Sequence, residues 1–237
     1  MLHAYCALPD GLPYRQGMSH LAAVLLLHLA EPHLACTALA SLLGGYPILR
    51  ACASLHIGPA MAFFDATLAS QLPSVSARLR HLDITSDLYL TPWILTLFSR
   101  SLPLSTACRI WDRVLADGEA ELFRAALAIL QLLQPVLLLA GFEEAVQLLT
   151  NLPMLPPEVD GLEPLDSDGA DGGAQPAAAA TTAAASAADA AAALPPPDGP
   201  RHDQLAEAEL LSTMSRMQLP EAEFEKLLVR CIIHGPT

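Results

Sequence analysis

Tyr14-Arg15-Gln16-Gly17-Met18 is the segment of this 237-residue chain best suited to chemistry. An irregular stretch turns there into an apolar run, Ser19 to Leu29. Gly17 has no Cβ, so the backbone can approach a partner closely. Gln16 carries a primary amide that both donates and accepts hydrogen bonds. Held at a helix mouth, such an amide orients a water molecule without being consumed. Taken alone, the pentapeptide also describes an ordinary loop-to-helix junction with a solvated glutamine.

Other chemistry is sparse. The cysteines, Cys6, Cys36, Cys52, Cys108 and Cys231, are odd in number, scattered and without C-x-x-C pairing. That pattern fits free buried thiols in a reducing compartment. His20 and His28 could share a helix face, but no nearby carboxylate or cysteine completes a metal set, so they read as partly buried structural histidines. Glu143-Glu144 reads as a solvated face. No Ser/His/Asp set and no phosphate-cradling glycine loop occurs, so the chain is not expected to hold a nucleotide by itself.

The elements that must position Gln16 read as helices almost throughout. Pro9-Asp10-Gly11-Leu12-Pro13 is a cluster of breakers and predicts a turn. The helix over Gln16 to Leu29 is apolar nearly all round and is expected at the centre of the core. Another helix is expected over Pro32 to Leu43, with Pro32 in the first turn and Gly44-Gly45 closing it. Tyr46 to Leu55 reads as less regular. Helices are expected over Ile57 to Gln71, Pro73 to Leu82, from Thr85-Ser86-Asp87 to the Leu102-Pro103 break, from a Ser105 cap to Asp117-Gly118, and over Glu119 to Leu133. Pro92 should distort its helix, and Pro135 should kink or divide the segment after Leu133. Phe142 to Leu152 completes the set. No convincing alternating strand is present, so the fold class is all-α. A helical solenoid is the structural alternative, but no fixed period recurs.

The net charge of −13 is unevenly spread. Up to Leu155 there are 11 acids against 8 arginines, whereas Pro156 to His202 holds 8 acids against Arg201 alone. No basic face is visible, which argues against nucleic acid. Composition changes sharply after Leu155, to acids and glycines, then an Ala/Thr/Ser tract, then Pro195-Pro196-Pro197. The organisation read from this is a domain over 1–155, a disordered low-complexity insert over 156–202, and C-terminal helices over 203–237 packing back on the core. The start of the chain has no signal-peptide pattern. Ala125 to Phe142 is nearly long enough to span a bilayer, but Gln131, Gln134 and Pro135 fit a core helix better. A helical membrane protein is therefore a minor third class, and no transmembrane segment is expected.

Further motifs occur in order along the chain: Leu90-Thr91-Pro92-Trp93-Ile94-Leu95-Thr96-Leu97-Phe98, Leu102-Pro103-Leu104, Arg109-Ile110-Trp111-Asp112, Asp117-Gly118 and Leu122-Phe123-Arg124. With the Tyr-x-Gln-Gly-Met segment, their order and spacing resemble the TBC domain, the Rab GTPase-activating domain, over about Met1 to Leu155 and again after Arg201. The stretch from Asp87-Leu88-Tyr89 to Asp112 is most similar to a subgroup linked to autophagy and recycling endosomes. The resemblance implies a multi-helix TBC fold and a role in vesicle trafficking. It implies a GTPase activator rather than an enzyme with its own turnover. Its partner would be a Rab-family small GTPase that carries GTP and Mg²⁺, with no cofactor on this chain. The location implied is cytoplasmic, with peripheral recruitment to endosomal or other endomembrane surfaces.

Residue by residue, the resemblance makes Gln16 the water-positioning finger and Tyr14 the aromatic that braces its turn, with Gly17 and Met18 supporting. Trp93 and Trp111 are expected in the core. Arg109 and Asp112 are expected to form a local charge and hydrogen-bond arrangement between helices. The family's arginine lies in an Ile-x-x-Asp-x-x-Arg-Thr-x-Pro motif upstream of the glutamine, and these 237 residues contain no such motif. Arg15 fills a position that varies in the family. The chain accordingly reads as a partial domain lacking the arginine-finger region, with some apolar surface left uncovered. A catalytically inert Rab-binding scaffold is the alternative.

The insert reading is checked by limited proteolysis. First cuts should fall between Pro156 and Pro200 and leave two associated pieces. Initial cutting inside Gln16 to Leu29 would show that the core has been misplaced.

Overall fold

In the computed structural model, the residues described are 1–9, 11–152 and 206–233. The expected insert lies outside them, as does Asp10 of the breaker cluster. The described residues form helices without a strand: α1 (Leu2–Cys6), α2 (Met18–His28), α3 (Pro32–Gly45), α4 (Pro47–Ser54), α5 (Gly58–Gln71), α6 (Pro73–His81), α7 (Asp87–Leu95), α8 (Leu104–Asp117), α9 (Ala120–Leu137), α10 (Phe142–Thr150), α11 (Glu207–Arg216) and α12 (Glu221–Ile233). The all-α TBC architecture expected from the sequence is what forms.

The core is built around α9. Ala125 to Leu130 are all fully buried, and α6, α7, α8 and α11 pack against this helix. Among the described residues α9 is the one single helix long and apolar enough to cross a membrane, and most of that stretch is buried inside the fold. Pro135 does not divide it. Proline costs a helix its N–H and crowds the preceding turn, but here it stands exposed near the end, and the Leu138 N–H still donates to the Gln134 carbonyl at 3.0 Å. The helix therefore runs on to Leu137. Phe63, Phe64, Phe123, Phe224, Tyr89, Trp93 and Phe98 form a chain of ring contacts, with centroids 5.0–6.4 Å apart, across α5, α7, α9 and α12. In the C-terminal segment, Leu210 and Met214 of α11 are fully buried, and Thr106 Oγ1 on α8 donates to Glu207 Oε2 at 2.8 Å.

Three expectations need correction. The helix α2 is not buried all round. Met18, Leu21, Ala22 and Val24 face α3 and the core, while Leu26 and Leu27 are 43% and 69% exposed. At its C-terminal end α2 also meets α8, where His28 Nε2 lies 3.8 Å from Cys108 Sγ. Second, the helix expected to reach Leu102 stops at Leu95. Leu97 and Phe98 both adopt the left-handed conformation, φ 46° and 64°, which no helix can carry through. Third, Tyr46 to Leu55 is mostly helix. The first N–H groups of α4 are satisfied from 70 residues away: Glu119 Oε1 accepts from Ile48 N–H at 2.8 Å and Leu49 N–H at 2.9 Å. Local sequence cannot announce a cap of that kind.

Glu119 is 5% exposed, and burial pushes its carboxyl up to about 7 despite the lowering effect of the Leu49 and Ile48 N–H groups. Cys52 of α4 and Cys231 of α12 are the other titratable groups that interact with it. The folded state thus binds a proton on Glu119 more tightly than the unfolded chain does. Between about pH 4.5 and about 7 the folded form carries more of that proton, so stability falls as pH rises through this window. The slope is at most about 1.4 kcal/mol per pH unit. Glu119→Gln should keep an acceptor for α4 and flatten that dependence in denaturant titrations. Glu119→Ala should lose roughly 1–3 kcal/mol at low pH, where two buried donors lose their acceptor, and less as pH rises, because only the wild type must ionise a buried carboxyl.

Candidate functional site

The segment before α2 is a tight turn closed by its own residues. The Arg15 carbonyl accepts the Met18 N–H at 3.1 Å, and the Arg15 N–H donates to Met18 Sδ at 3.1 Å. Met18 is fully buried, so this sulfur contact ties the turn to the core. Gly17 begins the helix with φ 115°, a conformation open mainly to glycine. It is also pressed against the end of α7. A Cβ there would lie 3.2 Å from Leu95 Cδ2 and 3.3 Å from Thr96 Cγ2. The structure thus brings together two motifs far apart in the chain. Gln16 stands exposed on top of this contact.

The floor under Gly17 is fixed in turn by α8. The Trp111 indole N–H donates to the Leu97 carbonyl at 3.1 Å, holding the left-handed pair in place. Within the turn, Thr96 Oγ1 donates to the Pro92 carbonyl at 2.8 Å and the Phe98 N–H to the Trp93 carbonyl at 2.7 Å. The Trp93 indole N–H donates to the Leu149 carbonyl at 3.1 Å, tying α7 to α10. Both tryptophans are buried. Their polar ends are spent on backbone carbonyls, as buried indoles usually require.

Other predicted residues are placed differently. Tyr14 is 53% exposed and makes no ring contact among the described residues, so it does not brace the turn. Met18 and the Gly17 contact do that instead. Arg109 and Asp112 are exposed and form no ion pair or side-chain hydrogen bond among the described residues. The helix α8 buries Thr106, Ala107, Ile110, Trp111 and Val114, which leaves positions 109 and 112 on its outer face. Charge pairing centres on a residue that lies in no sequence motif: Glu121 is 4% exposed and lies 3.5 Å from Arg113 Nη1, with Arg124 Nη1 closer still. Glu143 and Glu144 are exposed, as expected of a solvated face, and Glu144 also accepts the Gly141 N–H at 2.9 Å.

Among the described residues no group of three His, Cys, Asp or Glu could hold a metal ion. A cavity of about 570 Å³ between α5 and α12 is lined by residues such as Phe63, Gln71, Leu219 and Lys226, and by none of those around Gln16.

Gly17→Ala should destabilise the fold by about 1–3 kcal/mol, combining left-handed strain with the contact against Leu95 and Thr96. Trp111→Phe should cost about the same by leaving the Leu97 carbonyl without its donor. Thermal melts check both. An unchanged melting temperature in Gly17→Ala would refute the close contact.

A family profile described as the Rab-GTPase-TBC domain matches residues 1–138, which include the Gln16 turn, α7 and α8. TBC1 domain family member 12 of Xenopus tropicalis is 42% identical over 161 residues, covering 65% of this chain and 22% of that protein. TBC1 domain family member 14 of Homo sapiens is 42% identical over 157 residues, with the same shares covered. Drainin of Dictyostelium discoideum is 36% identical over 160 residues, covering 65% of this chain and 35% of its own length. The chain thus spans about a fifth of the first two relatives and about a third of the third. With the profile matching more than half of its residues, the chain belongs to the Rab-GTPase-TBC domain family.

Proposed function

We propose that this chain acts on a Rab-family small GTPase as an activator of GTP hydrolysis, with Gln16 orienting the hydrolytic water. The observation that carries the proposal is an exposed amide on a rigid mount: Gln16 is solvent-facing, while its neighbours Gly17 and Met18 are buried and locked to α7 and the core. Phosphoryl transfer from GTP needs little covalent help from protein. It needs positioning and stabilisation of charge. The Gln16 side-chain carbonyl can accept a water proton while its NH₂ donates to an oxygen of the partner site. GTP and Mg²⁺ come with the GTPase, and this chain supplies no cofactor of its own. The protein works in the cytoplasm, with peripheral recruitment to endosomal membranes where its partner acts in vesicle trafficking and autophagy.

A second reading, an inert Rab-binding scaffold, is favoured by one observation. The arginine motif implied by the family resemblance does not occur in these 237 residues. An arginine supplied in trans accounts for ~10³–10⁵ in rate. On this second reading, stimulation by this chain alone should be weak.

The test is single-turnover GTP hydrolysis by a panel of purified Rab GTPases, with and without the chain. Gln16→Ala should lower the stimulated rate further while complex formation changes little. Stimulation that survives Gln16→Ala would remove the glutamine from the mechanism. Binding without any stimulation would establish the scaffold reading.

A further inference from the structure

Arg15 sits beside Gln16 with its side chain half-buried and unspent. Its Nε is buried without a hydrogen-bond partner, and no carboxylate among the described residues pairs with its guanidinium. Every other half-buried arginine has at least one partner, although the Arg78 Nε is left open as well. Arg78 Nη2 donates to the Ala140 carbonyl at 2.6 Å, Arg113 and Arg124 close on Glu121, and Arg50 has a partner of its own. Buried polar groups in folded proteins are nearly always bonded, so a charged donor left open calls for an acceptor from outside. The backbone on which Arg15 stands is fixed at both N–H and carbonyl by Met18. Its side chain therefore leaves a defined point of the backbone, directly beside Gln16.

Resting on the proposed function, we infer that Arg15 is an oxyanion-binding residue of the GTPase-facing surface and that its ligand is an oxygen of the phosphoryl group whose attacking water Gln16 orients. A guanidinium presents donors in a planar fork that matches phosphate or carboxylate oxygens. Consecutive Cα atoms are about 3.8 Å apart, and a water poised for attack stands about 3–3.5 Å from the atom it attacks. Groups on neighbouring residues can therefore address the water and the phosphoryl oxygens at once. No bond is made or broken by Arg15. It offsets charge that grows on the transferred group as the bond to the leaving oxygen lengthens. A carboxylate on the partner GTPase offers the same chemistry from a different source.

The experiment measures binding of the full chain to a panel of Rab GTPases loaded with GDP, with and without aluminium fluoride, which mimics the phosphoryl group in transfer. Melting temperatures are recorded for every variant. Arg15→Ala should melt no lower than the wild type, since it removes an unpaired buried donor. It should weaken binding of the aluminium fluoride form at least tenfold and leave the plain GDP form within twofold. Arg15→Lys should recover part of the loss, because it keeps the charge without the fork. Equal weakening of both nucleotide forms would overturn the phosphoryl assignment and place the oxyanion on a partner carboxylate. Arg15→Ala within twofold of wild type in both forms, or a matched drop in melting temperature, would overturn the inference. If the wild-type chain shows no aluminium fluoride-dependent binding and Gln16→Ala leaves hydrolysis unchanged, the GTPase reading itself fails and takes this inference with it.

Discussion

One hydrogen bond sets the shape of the Gln16 surface: the Trp111 indole N–H to the Leu97 carbonyl. Leu97 and Phe98 are consecutive non-glycine residues at positive φ, a conformation that costs free energy at each. They persist because the surroundings over-determine them. Trp111 holds the carbonyl of one, the Trp93 carbonyl accepts the N–H of the other, and both side chains are buried. The turn they make ends α7 at the point where Leu95 and Thr96 can lie under Gly17. Without it α7 would run on and the floor beneath the Gln16 turn would move. The backbone strain sits one layer below the exposed amide, where packing can support it.

A second long-range tie fixes another part of the core. Glu119 comes directly after Gly118, whose φ of 91° ends α8, and it caps a helix that begins at Pro47. One carboxylate thus serves the α8–α9 corner and the start of α4. Burying a carboxylate is costly unless it is bonded. Here Oε1 takes two N–H donors and Oε2 takes none. Burial that these two bonds do not offset is why proton binding and folding are coupled at this position. Glu121, in the first turn of α9, instead faces two arginines and is paired in charge.

These ties also explain how much of the fold is legible in the sequence. The Gln-Gly-Met turn is legible because glycine's conformational freedom and the apolar run after it are local signals. So are α5 and α6, whose breakers and apolar stripes mark their limits. The helix α4 is not, because its cap is 70 residues away. The stop at Leu95 is not, because nothing local in Thr96-Leu97-Phe98 demands left-handed geometry; a tryptophan on another helix does. Arg109 and Asp112 mislead when their motif is taken as a unit, because helical spacing puts them on the face opposite Ile110 and Trp111. That spacing, applied to α8 residue by residue, separates the buried pair from the exposed one.

The arrangement separates stiffness from reactivity. Everything that fixes the turn is apolar or backbone: Gly17 against Leu95 and Thr96, Met18 in the core, Trp111 on a carbonyl. Both side chains with unspent polar capacity, Gln16 and Arg15, stand on that mount. An amide on a loose loop would lose conformational freedom when it engages a water, and that loss would weaken its effect. On a locked backbone only the side-chain torsions remain to be ordered. A surface built this way has no need of a pocket of its own, because the cavity that excludes water forms only when the partner closes over it.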